Sequence, residues 1–241
     1  MSFFNRIWTN DCVLCGQPVE PDRESPLCRR CHVGWEAEKD GRRIERSGQP
    51  IAEFPHTYDT AQNGLALTMV LYDPSDRTSP ASALIYRLKV NITRRVTDFA
   101  AGELSDLLKR SAGLLFDGTI AKEDIMLTYI PRRRSTVKRI GYDHMKILSK
   151  AVAKRLGLRH MTLLRRAFFA KEQKHIGMAE RIKNARRTIV AVKRIDVSGK
   201  TIVLLDDLIT TGASLHAGSE ALLDRGARMV ICATIAEARR R

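Results

Sequence analysis

Aromatic side chains are scarce in this chain of 241 residues, at 6%, and long apolar runs are missing altogether. The longest, residues 229–236, has the length of a strand and falls far short of the roughly 18 residues a membrane helix needs, so no membrane insertion is expected. The first ten residues hold neither a charged leader followed by an apolar stretch nor a small-residue cleavage site, which predicts a cytoplasmic address. Neither GxxxxGK(S/T) nor GxGxxG occurs, which removes the usual support for nucleoside triphosphate or dinucleotide binding. Internal repeats and low-complexity tracts are absent as well. With 44% apolar and 29% charged residues there is material for a core, and a folded chain is expected over wholesale disorder. The length fits one sizeable domain with a small appendage.

Acidic residues are missing selectively. Between Arg132 and Arg187 only Asp143, Glu172 and Glu180 stand against 18 Lys and Arg, so the whole net charge of +15 sits in that segment. Such a segment is either a solvated basic face or a region that handles a polyanion, whether a nucleic-acid backbone or a phosphorylated metabolite.

Five cysteines are placed unevenly. Cys12, Cys15, Cys28 and Cys31 form two CxxC pairs, and Cys232 lies in the run MVICATIA, where it reads as a small core residue. Two CxxC knuckles joined by a short loop bring four thiolates to one tetrahedral ion, and Gly16 supplies the permissive backbone of a knuckle. In a cytoplasmic protein this predicts structural zinc, with an iron–sulfur site or a redox pair as the alternatives. Four thiolates leave no position open for water, so the metal has a folding role and not a catalytic one. His32 reads as a surface histidine beside a filled site.

The expected organisation is a zinc-binding module over 1–45, a polar linker over 46–60 and one domain over 61–241. Within the last, strands are expected at 65–72, 125–130, 188–192, 201–205 and 229–235. One or two amphipathic helices are expected over 82–109. Another is expected at 144–156, with Ile147, Leu148, Ala151, Val152 and Leu156 on its packed face and Gly157 as its stop. The closing strand, helix and strand form a βαβ unit with buried, parallel-type strands, so the fold class is α/β.

The turn of that unit reads LLDDLITTGAS. An apolar strand delivers Asp206 and Asp207 where ligands of open α/β sheets bind, and Thr210, Thr211, Gly212, Ala213 and Ser214 then open a helix. Backbone N–H groups, hydroxyls and a helix N-terminus suit a phosphate, and Gly212 permits close approach. Two carboxylates beside a phosphate site make sense as acceptors for a vicinal diol on the same ligand, which predicts a sugar phosphate.

LLDDLITTGAS closely resembles the phosphoribosyl-pyrophosphate (PRPP) motif of type I phosphoribosyltransferases. The order of features along the chain is similar to that of the competence protein F family: the cysteine module, Ile130-Pro131-Arg132 after a strand, Gln173, and Arg181-Ile182-Lys183-Asn184. Where that family usually shows Arg-Gly-Phe-Asn-Gln, this chain has Arg139-Ile140-Gly141-Tyr142-Asp143-His144, and no role is assigned to Tyr142, Asp143 or His144. The resemblance implies a type I phosphoribosyltransferase fold, a doubly wound and mainly parallel sheet with a small N-terminal four-cysteine module. It implies that Asp206 and Asp207 bind the ribose hydroxyls and residues 210–214 the 5-phosphate. It further implies that Arg132 binds the pyrophosphate, with Mg2+ riding on PRPP. The implied chemistry is transfer of phosphoribosyl to a nitrogen acceptor with release of pyrophosphate. A noncatalytic PRPP sensor, acting in DNA uptake through DNA or a protein of the competence machinery, is the alternative, and an oligomer is compatible with both. No residue declares itself as a general base, since His144 and His175 are lone histidines in the basic segment.

Overall fold

The computed structural model describes residues 10–20, 23–46, 64–167 and 188–238. Its helices and strands run, in chain order, α1 (Arg29–Arg46), β1 (Gly64–Tyr72), α2 (Pro80–Val90), α3 (Arg94–Ser111), β2 (Ile125–Tyr129), α4 (Arg134–Ile140), α5 (His144–Leu156), β3 (Arg159–His160), β4 (Leu164–Arg166), β5 (Ile189–Ala191), β6 (Thr201–Ile209), α6 (Ala213–Leu223) and β7 (Met229–Ala238). Five strands pair in the order β1-β7-β6-β2-β3, every neighbour parallel, while β4 and β5 form a separate antiparallel ribbon.

The sheet buries both faces, as the apolar runs within β2, β6 and β7 require. Val203, Leu205, Ile231 and Ala233 point into a core shared with α2, α3 and α5. Ile202, Leu204, Val230 and Cys232 point the other way, into a core shared with α6 and the β4-β5 ribbon. Helices on both faces of a parallel sheet make the doubly wound α/β architecture that was expected. Among the described residues no helix is long and apolar enough to cross a membrane.

The four-cysteine region shares the first of these cores. Cys31 and Trp35, four residues apart on α1, face inward, and the fully buried Trp35 ring meets Phe99 of α3 at 5.7 Å between centroids. Glu38 on the same helix accepts the N–H of Ala81 at 2.9 Å, and Lys39 pairs with Glu103 at 3.0 Å. Burial comes first in raising Glu38, to about 7.

Several expectations are corrected. Helix α1 runs to Arg46, the first residue of the expected linker, and residues 47–63 lie outside the described residues. The amphipathic stretch, expected as one or two helices, is two, split where Asn91 ends α2 and Thr93 caps α3. Ile147 is 38% exposed, and α5 packs through Met145, Leu148, Val152, Ala153 and Leu156. Strand β6 does not stop at Leu205: its ladder with β7 continues to Ile209 opposite Glu237, so Asp206 and Asp207 lie inside a strand. Helix α4 was not anticipated.

Candidate functional site

The topology fixes where a ligand crevice opens. Strand β2 is followed through α5 by β3 on one side, and β6 through α6 by β7 on the other, so the chain leaves two adjacent strands in opposite directions. In open parallel sheets the crevice lies at the carboxyl ends of such strands. Two segments meet there: Ile130-Pro131-Arg132 after β2, tied to β6 by the Ile130 N–H donating to the Leu205 carbonyl at 2.9 Å, and residues 206–214.

Asp206 and Asp207 are not equivalent. Consecutive strand residues point to opposite faces, so Asp206 continues the row of Ile202 and Leu204, and Asp207 that of Val203 and Leu205. On the face turned to α2, α3 and α5, Asp207 Oδ2 lies 2.6 Å from His144 Nε2 and 3.1 Å from Lys89 Nζ. Burial opposes the Asp207 charge, but the His144 hydrogen bond and the Lys89 ammonium outweigh it and hold the carboxyl below its usual range. An ionised carboxylate can only accept, so His144 Nε2 carries the hydrogen. His144 Nδ1 is buried without a partner among the described residues.

Asp206 experiences the reverse balance. Burial and then the neighbouring Asp207 charge push it up to about 8, against Lys89 and Arg166. Arg166, on β4, donates through Nε to the Pro131 carbonyl at 2.9 Å and through Nη1 to Thr188 at 3.2 Å, which ties the ribbon to the 130–132 turn. Its own pKa is lowered by burial, with the Asp206 charge opposing.

Residues 210–214 form the bend that opens α6. Gly212 holds φ +68 at the N-cap, the left-handed region that glycine enters without strain, and no side chain caps that helix end. Its leading N–H groups are thus open to an anion, which the helix dipole favours.

The turn after β2 is built by Asp143, which the sequence left without a role. Its Oδ2 accepts the Arg132 N–H at 3.0 Å, and its Oδ1 caps α5 through the N–H groups of Met145 at 3.0 Å and Lys146 at 3.4 Å. The Arg132 guanidinium donates from Nη1 to the Lys89 carbonyl at 3.1 Å, so Arg132 and Lys89 brace one another. Tyr142 reaches the Ile92 N–H through its hydroxyl at 3.5 Å.

The second candidate centre is the cysteine cluster. One ligand atom from each of Cys12, Cys15, Cys28 and Cys31 lies within 4.8 Å of the others, with Cys15 Sγ and Cys28 Sγ 3.6 Å apart. A tetrahedral ion with Zn–S bonds of about 2.3 Å sets sulfurs roughly 3.8 Å apart, so the four fit such an ion. The first knuckle is shaped by Gly16 N–H donating to the Cys12 carbonyl at 2.9 Å and Cys12 N–H to Gln17 at 2.7 Å. Cys31 sits in the first turn of α1. Burial would raise the Cys12 thiol, but backbone N–H donors from Cys15, Cys28 and Leu14 bring it to about 7, while burial drives Cys31 well up. Cys232 stands apart in the core, its thiol pushed up to about 11 by burial.

The structure thus gathers Arg132, Asp206, Asp207 and residues 210–214 at one end of the sheet and the four cysteines at another place. Gln173, His175, Arg181, Ile182, Lys183 and Asn184 lie outside the described residues. Sequence reasoning missed Lys89, His144, Asp143 and Arg166. Only the departure at Asp143-His144 from the resembled family's Asn-Gln hinted at two of them.

Residues 147–241 match the family described as phosphoribosyl transferase domain. This match falls in the C-terminal part of the chain. It includes β6, the acidic pair and the 210–214 bend, and leaves Lys89, Arg132 and His144 outside. A ribose-phosphate pyrophosphokinase from Nostoc sp. is 55% identical over 40 residues, which are 16% of this chain and 12% of that protein. Among solved structures, the allosteric regulatory enzyme of purine biosynthesis is similar at 16% identity and a TM-score of 0.39, covering 62% of this chain and 30% of that one. Phosphoribosylpyrophosphate synthetase from Mycobacterium smegmatis is similar at 19% identity and a TM-score of 0.34, covering 60% and 38%. The chain therefore spans well under half the length of these three relatives.

Proposed function

We propose that the crevice between β2 and β6 binds PRPP and that the protein transfers its phosphoribosyl group to a nitrogen acceptor, releasing pyrophosphate. The carrying observation is that the phosphate-type bend after the acidic pair and the Pro131-Arg132 turn meet at the point where the chain reverses direction, the bend lying within the stretch that matches the phosphoribosyl transferase domain. Residues 210–214 hold the 5-phosphate through backbone N–H groups and the hydroxyls of Thr210, Thr211 and Ser214. Asp206 and Asp207 accept from the ribose hydroxyls. Arg132 faces the pyrophosphate with the guanidinium N–H groups that Lys89 does not occupy. Holding both anionic ends fixes C1 of the ribose for attack and stabilises the departing charge. Mg2+ bound on the pyrophosphate would neutralise the leaving group, with waters completing its shell.

Further parts of this reading are a cytoplasmic protein, zinc held by Cys12, Cys15, Cys28 and Cys31, and division into a module over 1–45, a linker over 46–60 and a domain over 61–241. The donor set supports zinc: four free thiols, no disulfide, and sulfur spacings of tetrahedral size.

A pyrophosphate-release assay with PRPP and Mg2+ against a panel of bases, amines and ammonia tests the proposal. Release with one acceptor supports transfer and names the substrate, and absence of PRPP binding by calorimetry overturns it. A second reading, a noncatalytic PRPP sensor that engages DNA in competence, draws on α4 and α5. Exposed Lys138, Arg139, Lys146, Lys150 and Lys154 lie on these helices, and neither helix carries an acidic residue. PRPP binding without turnover, together with a salt-sensitive gel shift on DNA, would favour it.

A further inference from the structure

From the cluster Lys89, Asp207 and His144 we infer that His144 is a positioning residue for PRPP, fixing Asp207 so that its carboxylate meets the ribose diol; this rests on the proposed PRPP site. Three elements distant in sequence supply the cluster: Lys89 from the last turn of α2, His144 from the first turn of α5 and Asp207 from β6. Both contacts fall on one oxygen, Oδ2, with His144 Nε2 at 2.6 Å and Lys89 Nζ at 3.1 Å. That arrangement fixes the side-chain rotamer of Asp207 and commits one oxygen to the protein, while Oδ1 remains for a ligand hydroxyl.

The histidine is chosen for this task by its surroundings. It is 3% exposed, and its Nδ1 has no partner among the described residues. Its Nε2–H is held against Asp207 Oδ2 by the packing around the ring. Lys89, a third of whose side chain reaches solvent, adds a positive charge opposite the same oxygen. His144 therefore acts as an oriented N–H donor. Glutamine, which presents an N–H donor on a side chain of similar reach, is the conservative replacement. Asp206 lacks such a clamp: its Oδ1 accepts the Asp207 backbone N–H at 2.9 Å and it lies on the opposite face of the strand.

Calorimetric titration of the full chain, as wild type, His144→Leu, His144→Gln and Lys89→Met, with PRPP plus Mg2+, ribose 5-phosphate and inorganic pyrophosphate, tests the assignment. His144→Leu should weaken PRPP and ribose 5-phosphate by about tenfold, the scale of one hydrogen bond to a charged group, and leave pyrophosphate, which has no diol, unchanged. His144→Gln should recover most of that loss. Lys89→Met should weaken the same two ligands by a smaller factor, and it carries the test if His144→Leu fails to fold. Equal loss for all three ligands, no loss, or a glutamine variant as weak as leucine overturns the inference while the PRPP reading stands. A wild type that binds no PRPP overturns both.

Discussion

The cysteine centre and the switch-point crevice are built in opposite ways. All four cysteines fall within 20 consecutive residues, from Cys12 to Cys31, and their spacing alone names the chemistry. The crevice draws Lys89, Arg132, His144, Arg166, Asp206 and Asp207 from five elements and turns spread over more than 100 residues. A local site announces itself through spacing, whereas a dispersed one shows only the fragment that happens to be contiguous. Energetically the local site would lean on the ion proposed for it, and the dispersed one on the sheet beneath it.

That contrast is broken most severely by removing the metal. With Cys12, Cys15, Cys28 and Cys31 all changed to Ser, zinc measured by metal analysis should fall from one per chain to background. Metal binding is worth about 10–16 kcal/mol to isolated zinc-finger peptides, so its loss should unfold this region. Trp35, buried against Phe99, would then become solvated and its emission shift to the red. Native emission from the metal-free variant would refute a structural ion.

The crevice should respond to charge more than to folding. Asp206→Asn should weaken PRPP by at least tenfold. Because the folded protein raises Asp206 to about 8 from 3.8, the folded state holds more protons than the unfolded one across that interval. Wild-type stability therefore declines as pH rises from about 4 through 8, and Asn removes this loss. The melting temperature of Asp206→Asn minus that of wild type should grow with pH over the same window. A difference independent of pH would show that Asp206 is not held protonated.

How much could be read beforehand follows the same division. The cysteine cluster, the acidic pair, the 210–214 bend and helix α5 with its Gly157 stop were legible because each depends on neighbours within a few residues. The Asp-Asp step was read as the end of a strand because charged residues rarely enter one. It stays in β6 because β7 continues the ladder past it and because Lys89, His144 and Arg166 offset the burial. None of those three lies within 35 residues of the pair, and no periodicity points to them. Helix α4 escaped because it is seven residues long without a side-chain cap. Ile147 was assigned to the wrong face because a helix's buried arc is set by what it packs on, here β2 and α3, and not by apolarity alone.

A smaller effect separates the sheet from the crevice it supports. Gly218 lets α6 lie close on β6: a Cβ there would come within 2.8 Å of Ile130 Cδ1, 3.1 Å of Leu164 Cδ1 and 3.2 Å of Leu204 Cδ2. Gly218→Ala should cost about 1–3 kcal/mol through overpacking, read as a lower denaturation midpoint with unchanged zinc content. Loss of zinc in this variant would mean that the cysteine centre depends on the far core, and the contrast between the two sites would fail.

The smallest effect is the most discriminating for the crevice. Asp143 uses one oxygen to cap α5 and the other to hold the Arg132 N–H, so it joins helix stability to the turn proposed for pyrophosphate. Asn caps a helix about as well as Asp, whereas Ala does not. Asp143→Ala should therefore lose about 1 kcal/mol of stability, and Asp143→Asn a few tenths at most. If the turn needs that second acceptor, Asn should nevertheless weaken pyrophosphate binding measurably, because its one oxygen keeps the α5 cap and its NH2 then meets the Arg132 N–H, donor against donor. Stability and pyrophosphate affinity then separate in the Asn variant and fall together in the Ala variant. Parallel losses in both would mean that Asp143 serves only the helix, and that the turn after β2 keeps its shape through the Arg166 contact to the Pro131 carbonyl.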